Sequence, residues 1–340
     1  MQFVRIEQGK TVVSVDSNIA RLHLCACIAG AFFTVQPAQA NSPFPEKPVR
    51  MVVPLAPGGG SDIVGRIAAQ ALTEQWGQPV VVDNRPGAGG TIGNGIVAKS
   101  DPDGYTVLVS SSTMAIGPAL YKNPSADILR DFSTVTLIAE QPSIIAVNTK
   151  VPAKSLAELV ALFKAQPGKY AFGSAGNGTA SHLANELFKL SAKVDTLHVP
   201  YKSAGLASTG LLSGEIQFMV TNMATALPLV RAGRLNGVAV TSAKRAPAAA
   251  DLPTANEAGL PGFEYTTWYG MLAPAGTPKP VIARMYGDLS ALARQPRIAE
   301  RFSAQGLEVR ATSPQDFGKY LASEVARWQQ VVNAAGIQKQ

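Results

Sequence analysis

Two stretches hold the residues most able to do chemistry: "PLAPGGGSD" (residues 54–62) and "GSAGNGT" (residues 173–179). Each sets glycines between an apolar run and a helix-like pattern. At such a junction the free backbone N–H groups and the helix dipole can grip an anion. A nucleotide phosphate is the first candidate, but its loop needs G-x-x-x-x-G-K-[ST], and Thr179 occupies the lysine position of the second stretch. The dinucleotide fingerprint fails in the first, where Ile63 stands in place of the third glycine. "GNGIVA" (residues 93–98) matches G-x-G-x-x-A, yet lies inside a helix-like segment rather than directly after a strand.

Hydrolytic chemistry is no better served. No G-x-S-x-G or S-x-x-K occurs, and "FGSAG" has Phe172 where the first glycine is required. His182 precedes Glu186 by four residues on one helix, and a single such pair is too few ligands for a catalytic zinc. No cofactor or metal is expected. What remains is a neutral grip on a small carboxylate. Gly58, Gly59 and Gly60 allow close backbone approach, and Ser61, Ser174, Asn177 and Thr179 add polar atoms. Asp62 has two readings: a partner for a ligand cation, or an acid favoured in the first helical turn by the dipole.

The elements that must position these turns alternate. "VRMVVPL" reads as a buried strand, and "SDIVGRIAAQALTEQW" places Ile63, Val64, Ile67, Ala68, Ala71, Leu72 and Trp76 at helical spacing. "PVVVDN", a helix near residues 91–99 and the strand "YTVLVSS", ending at Ser111, continue the pattern. The theme restarts with the strand "SIIAVNT", the helix "SLAELVALFKAQ" with Ser155 and Glu158 as a capping box, and the strand–turn–helix of residues 170–190. Strands follow in "DTLHVPY", "IQFMVTN", "LNGVAVTS" and near residue 265, and two helices are expected to finish the chain. The fold class is α/β: two lobes, each an open, mostly parallel sheet flanked by helices, with ligand bound outside the carboxyl ends of the strands. The chain is expected to cross between lobes near residues 137–143 and 265–272.

With 340 residues and 46% hydrophobic content there is ample core for two such lobes, and a charged fraction of 16% argues against disorder. The formal net charge of +7 is spread along the chain with no run of five basic residues. That excludes a nucleic-acid surface and leaves a weak pull on small anions. An apolar run from Leu22 to Val35, preceded by Arg21 and followed by "PAQA", has the layout of a secretory signal. A signal peptide over residues 1–40 is expected, cut after Ala40, with export to the periplasm. Cys25 and Cys27 both lie in it, which leaves the mature chain without a disulfide or thiolate nucleophile.

"FPEKPVRMVVPLAPGGGSDIVGR", "VVDNRPGAGGTIGNGIVAKSDPDGYTVL", "FGSAGNGTASHLANELF", "VPYKSAG" and "MLAPAGTP" together resemble the solute receptors of tripartite tricarboxylate transporters, the Bug receptors, in order over essentially residues 44–337. The resemblance implies a periplasmic two-lobed binding protein of the Venus-flytrap kind. It would be a monomer that takes a small carboxylate between its lobes and passes it to a permease of a large and a small membrane subunit. A receptor that signals to a membrane sensor kinase would share the same sequence features. The lobes would comprise residues 41–140 with 266–340, and residues 141–265. Carried over by position, the ligand-binding residues would be Ala56, Gly58, Gly59, Gly60 and Ser61 on one side and Ser174, Gly176, Asn177 and Thr179 on the other. His182 falls at the second-lobe helix start, and Asp62, Ser111, Tyr201 and Thr221 complete the candidate set. Many members have Phe-Asp-Asn where this chain has Val220, Thr221 and Asn222. Loss of that aspartate removes a partner for a ligand ammonium and favours plain carboxylates over amino acids.

Overall fold

Val49–Val53 forms β1, whose Val49, Met51 and Val53 face one core while Val52 faces another. Burial on both faces is the mark of a parallel sheet covered by helices. The computed structural model describes residues 44–122 and 124–339; the expected signal peptide and its cut after Ala40 lie outside them. After β1 come α1 (Gly60–Trp76), β2 (Val80–Asn84), α2 (Thr91–Ala98), β3 (Thr106–Ser111), α3 (Thr113–Leu120) and β4 (Phe132–Asn148). The chain continues through α4 (Leu156–Ala165), β5 (Ala171–Ser174), α5 (Ala180–Ala192), β6 (Leu197–Pro200), α6 (Ala204–Ser213), β7 (Phe218–Asn222), α7 (Met223–Arg231) and β8 (Leu235–Val240). It ends with β9 (Thr266–Pro274), α8 (Lys279–Ala293), α9 (Pro296–Ser303), β10 (Glu308–Val309) and α10 (Pro314–Ala334).

The strand order is β2-β1-β3-β9-β4-β7-β5-β6, with β8 and β10 also pairing with β4. The expected parallel ladders are present in β2–β1–β3 and in β6–β5–β7. β9 and β4 enter between them and add antiparallel pairs, so each sheet is mixed. β4 belongs to both sheets. Its first part, through Pro142, pairs with β9, and from Ser143 onward it pairs with β7 and β8. Proline lacks an N–H for the ladder and is tolerated where pairing is interrupted; here it stands at the change of partners.

Three buried clusters hold the layers. One packs α1, α8 and α9 against the β1–β3 sheet, and one packs α6 and α7 against the β5–β7 sheet. The third runs along the opposite face of both sheets and includes Phe172, Phe188, Trp268 and Trp328. Three helices finish the chain rather than two, because α8 breaks at Gln295–Pro296 into α9. The last, α10, starts on the Ser313 cap, which accepts from Asp316 N–H at 3.1 Å, and packs against α3, β4 and α5. It therefore touches helices from both halves. α3, α6 and α7 are further helices absent from the sequence reading. Each follows a strand directly, as α1 and α5 do after their glycine turns. The result is that five helices begin just beyond the carboxyl ends of β1, β3, β5, β6 and β7.

Candidate functional site

A cavity of about 250 Å³ opens at those strand ends. Its wall takes Gly60 and Ser61 from the start of α1, Ser111 from β3, Thr179, Ala180 and Ser181 from the start of α5, and Thr221 from β7. Five expected residues thus come together: Gly60, Ser61, Ser111, Thr179 and Thr221. Tyr269 of β9 lies against the helix start, and a Cβ on Gly60 would collide with its hydroxyl, so glycine at this position is what lets the two elements meet.

The N-cap of α1 is Gly59, with no side-chain cap, and the first intrahelical bond is Ile63 N–H to Gly59 O at 3.0 Å. The N–H groups of Gly60, Ser61 and Asp62 precede it and have no intrahelical partner. On α5, Thr179 Oγ1 accepts from His182 N–H at 3.3 Å, and Leu183 N–H bonds Thr179 O at 3.0 Å, which leaves Ala180 and Ser181 as the donors. Among the described residues no charged side chain lines the cavity. Its polar lining consists of the N–H groups of two helix starts, neutral hydroxyls and one carboxamide. Ser61 is 1% exposed and its Oγ has no hydrogen-bond partner.

The other expected residues are not on the wall; they shape the two turns. Gly58 takes φ +81°, and its N–H donates to Asp62 Oδ2 at 2.9 Å, while Gly59 N–H reaches Ala56 O at 3.4 Å. Asp62 also accepts from Arg66 Nε at 2.9 Å and Asn84 Nδ2 at 3.0 Å. Burial pushes its carboxyl up, but Arg66, the Gly58 N–H and Asn84 outweigh that and hold it below the usual carboxylate range. Asp62 thus anchors the turn through Gly58, Arg66 and Asn84. In the other turn Ser174 is fully buried, and its Oγ lies 2.6 Å from His198 Nε2 and accepts from Gly176 N–H at 3.1 Å. Gly176 takes φ +128°, a conformation that favours glycine, and Asn177 is exposed.

His182 turns away from the cavity. Its Nδ1 accepts from Gly178 N–H at 3.1 Å, and its ring stacks on His198 with centroids 3.9 Å apart; His198 stacks in turn on Phe172 at 4.9 Å. Burial pushes both histidines down to about 4, helped by Lys189 and, for His198, by His182. Both are therefore neutral at pH 7. Ser174 and His198 resemble a nucleophile with its base, but the hydroxyl is closed off inside the turn, and Glu186 approaches His182 (3.8 Å) rather than His198. Tyr201 packs its ring against Gly173 and Gly210 beneath α6. Among the described residues no cluster of His, Cys, Asp and Glu could hold a metal ion.

Sequence reasoning missed Ser143, Ser181, Asn222, Tyr265 and Thr267, all on the wall. Only Ser181 and Asn222 carried a local signal, as neighbours of expected residues. The two aromatics at the second expected crossing, each open to a wall or a core reading, divide: Tyr269 lines the cavity, and Trp268 is core, its Nε1 donating to the buried Glu324 at 3.3 Å.

Two mixed α/β sheets sharing β4, with a neutral cavity beyond their strand ends, define a two-lobed solute receptor of the periplasmic binding-protein fold. The chain belongs to the family described as tripartite tricarboxylate transporter family receptor (TctC), which matches residues 64–337. It is 35% identical over 302 residues to Protein BugT of Bordetella pertussis, covering 88% of this chain and 92% of BugT. Among solved structures it is similar to R. palustris Rpa4515 with adipate (TM-score 0.75, 33% identity, 87% of this chain and 100% of that one). It is also similar to MatC (Rpa3494) from Rhodopseudomonas palustris with bound malate (TM-score 0.70, 32% identity, 85% and 100%).

Proposed function

We propose that this protein is a periplasmic receptor that holds one small carboxylate in the cavity between the starts of α1 and α5 and delivers it to a permease of a large and a small membrane subunit. The observation that carries the reading is the meeting of two helix starts across one cavity whose wall holds no charged side chain, with the unpartnered Ser61 hydroxyl beside them. Backbone N–H groups and hydroxyls stabilise a carboxylate without a buried lysine or arginine, which suits a ligand that must leave again. Adipate and malate in the two related structures are ligands of this chemistry.

In this reading the lobes are residues 41–140 with 266–340, and residues 141–265. The receptor is a monomer, and it turns nothing over. A ligand touching both lobes binds the closed form better and shifts the balance toward it. Plain carboxylates are preferred to amino acids, because the wall carries no acidic side chain and Asp62 is already engaged. A thermal-shift screen of mono-, di- and hydroxycarboxylates tests the proposal, with phosphate, methylphosphonate and aspartate as controls. A ligand at a hundredfold excess over Kd adds about 2.7 kcal/mol of apparent stability. Shifts with carboxylates alone are expected. Shifts confined to the phosphorus anions, or tight aspartate binding by calorimetry, would overturn the corresponding part.

A further inference from the structure

The wall holds a second group of polar atoms apart from the α1 and α5 starts. Ser143 opens the part of β4 that pairs with β7 and β8, is 1% exposed, and lines the cavity. Its backbone is fully used: the N–H donates to Thr241 Oγ1 at 3.0 Å, and the carbonyl accepts from Thr241 N–H at 2.9 Å. Its hydroxyl is not used, having no hydrogen-bond partner. Asn222 lies directly opposite in the β4–β7 register, so the two side chains share a face, and Asn222 also lines the cavity. Asn222 is the N-cap residue of α7, yet its side chain makes no capping bond. A hydroxyl, a carboxamide and a helix start therefore meet at one place with their bonding capacity unspent by the fold.

Buried hydroxyls are almost always partnered, and one left without a partner on a cavity-lining residue points to a partner that the ligand supplies. We infer that Ser143, supported by Asn222, reads a second oxygen-bearing group of the ligand and so sets which carboxylates are accepted. The inference rests on the receptor reading above. It assigns the ligand two polar ends: one carboxylate at the α1 and α5 starts, and a hydroxyl or second carboxylate at the β4–β7 pair.

The test compares wild type with Ser143→Ala by titration calorimetry, using adipate against hexanoate and succinate against butyrate. Wild type is expected to bind at least one dicarboxylate. Ser143→Ala should weaken that binding about fivefold to tenfold and leave the matched monocarboxylate within about twofold. The melting temperature of the ligand-free variant should be equal or higher, since a buried hydroxyl without a partner is removed. Unchanged dicarboxylate affinity, equal losses for both members of a pair, or a clear fall in the ligand-free melting temperature would each overturn the inference. Binding of the monocarboxylates alone would overturn it while leaving the receptor reading intact. Failure of wild type to bind these four and every hydroxycarboxylate of the screen would remove the carboxylate reading and this inference together; a hydroxycarboxylate that binds takes the dicarboxylate's place in the comparison, against its deoxy analogue.

Discussion

Ser174 and Thr179 show how a residue can be legible in type while its local partners stay hidden. Both stand in a glycine turn, and both offer the hydroxyl a carboxylate wants. The structure commits Ser174 Oγ to His198 and Gly176, and Thr179 Oγ1 to the His182 N–H and to the Gly176 carbonyl at 2.7 Å. Nothing in local spacing could foretell the His198 partner, which arrives from β6. Thr179→Ala should cost about 1 kcal/mol through the lost cap. Ser174→Ala should cost about 1–2 kcal/mol by leaving Gly176 N–H and the imidazole unpartnered, measured by denaturant unfolding. A stability unchanged in both would contradict these structural roles. Gly60→Ala should cost about 1–3 kcal/mol by overpacking against Tyr269 and should weaken ligand binding, since the ring it displaces is part of the wall. The stacked histidines add a pH dependence. The unfolded chain takes up protons near pH 6.5, whereas the folded pair resists protonation down to about 4. Their contribution is therefore full above pH 6.5 and is lost as pH falls toward 4. A melting-temperature profile between pH 4 and 7 should slope downward into acid, and His198→Gln should flatten it.

Among the elements, the strands and the helices with wide apolar stripes were readable, as was the short α2, and the other short helices were not. α1 and α10 bury residues at helical spacing, and Ser155 caps α4 as expected, accepting from Glu158 N–H at 3.2 Å. α3 and α7 carry Pro118 and Pro228, and α6 is built of small residues, so propensity argued against all three; they persist because strands deliver them into packed positions. The fastening of α10 was equally hidden. Glu324 is buried on this helix and accepts from Trp268 Nε1 of β9 and, at 3.0 Å, from Trp328 Nε1. Arg327, one turn on, donates to the Glu264 carbonyl just before β9. Glu324→Ala strands two buried indole donors and should cost about 2–4 kcal/mol, with Glu324→Gln retaining part of the loss-free state. Equal stability of Ala and Gln variants would show that the indoles find other partners.

At the scale of the molecule, alternation and glycine turns were enough to read an α/β fold with a candidate anion cleft at the strand ends, and the resemblance supplied the receptor class. They could not show that β4 is one continuous strand or that a single core runs behind both sheets. Both facts rest on pairings far apart in sequence. β9 illustrates the point, since its Tyr269–Leu272 segment pairs with Ser111–Leu108 of β3, and its whole length pairs with β4. A chain grown only to Tyr265 has every strand of the second sheet but lacks the middle strand of the first. β3 is then an open edge, and the first part of β4 has lost its β9 ladder. Such a fragment should be sensitive to protease and lack cooperative unfolding, whereas a stable, protease-resistant fragment would contradict the assignment. The amino-terminal half of the first sheet must therefore wait for residues synthesised much later. Its order of folding runs against its order of synthesis, and the growing chain carries an aggregation-prone edge until its last quarter arrives.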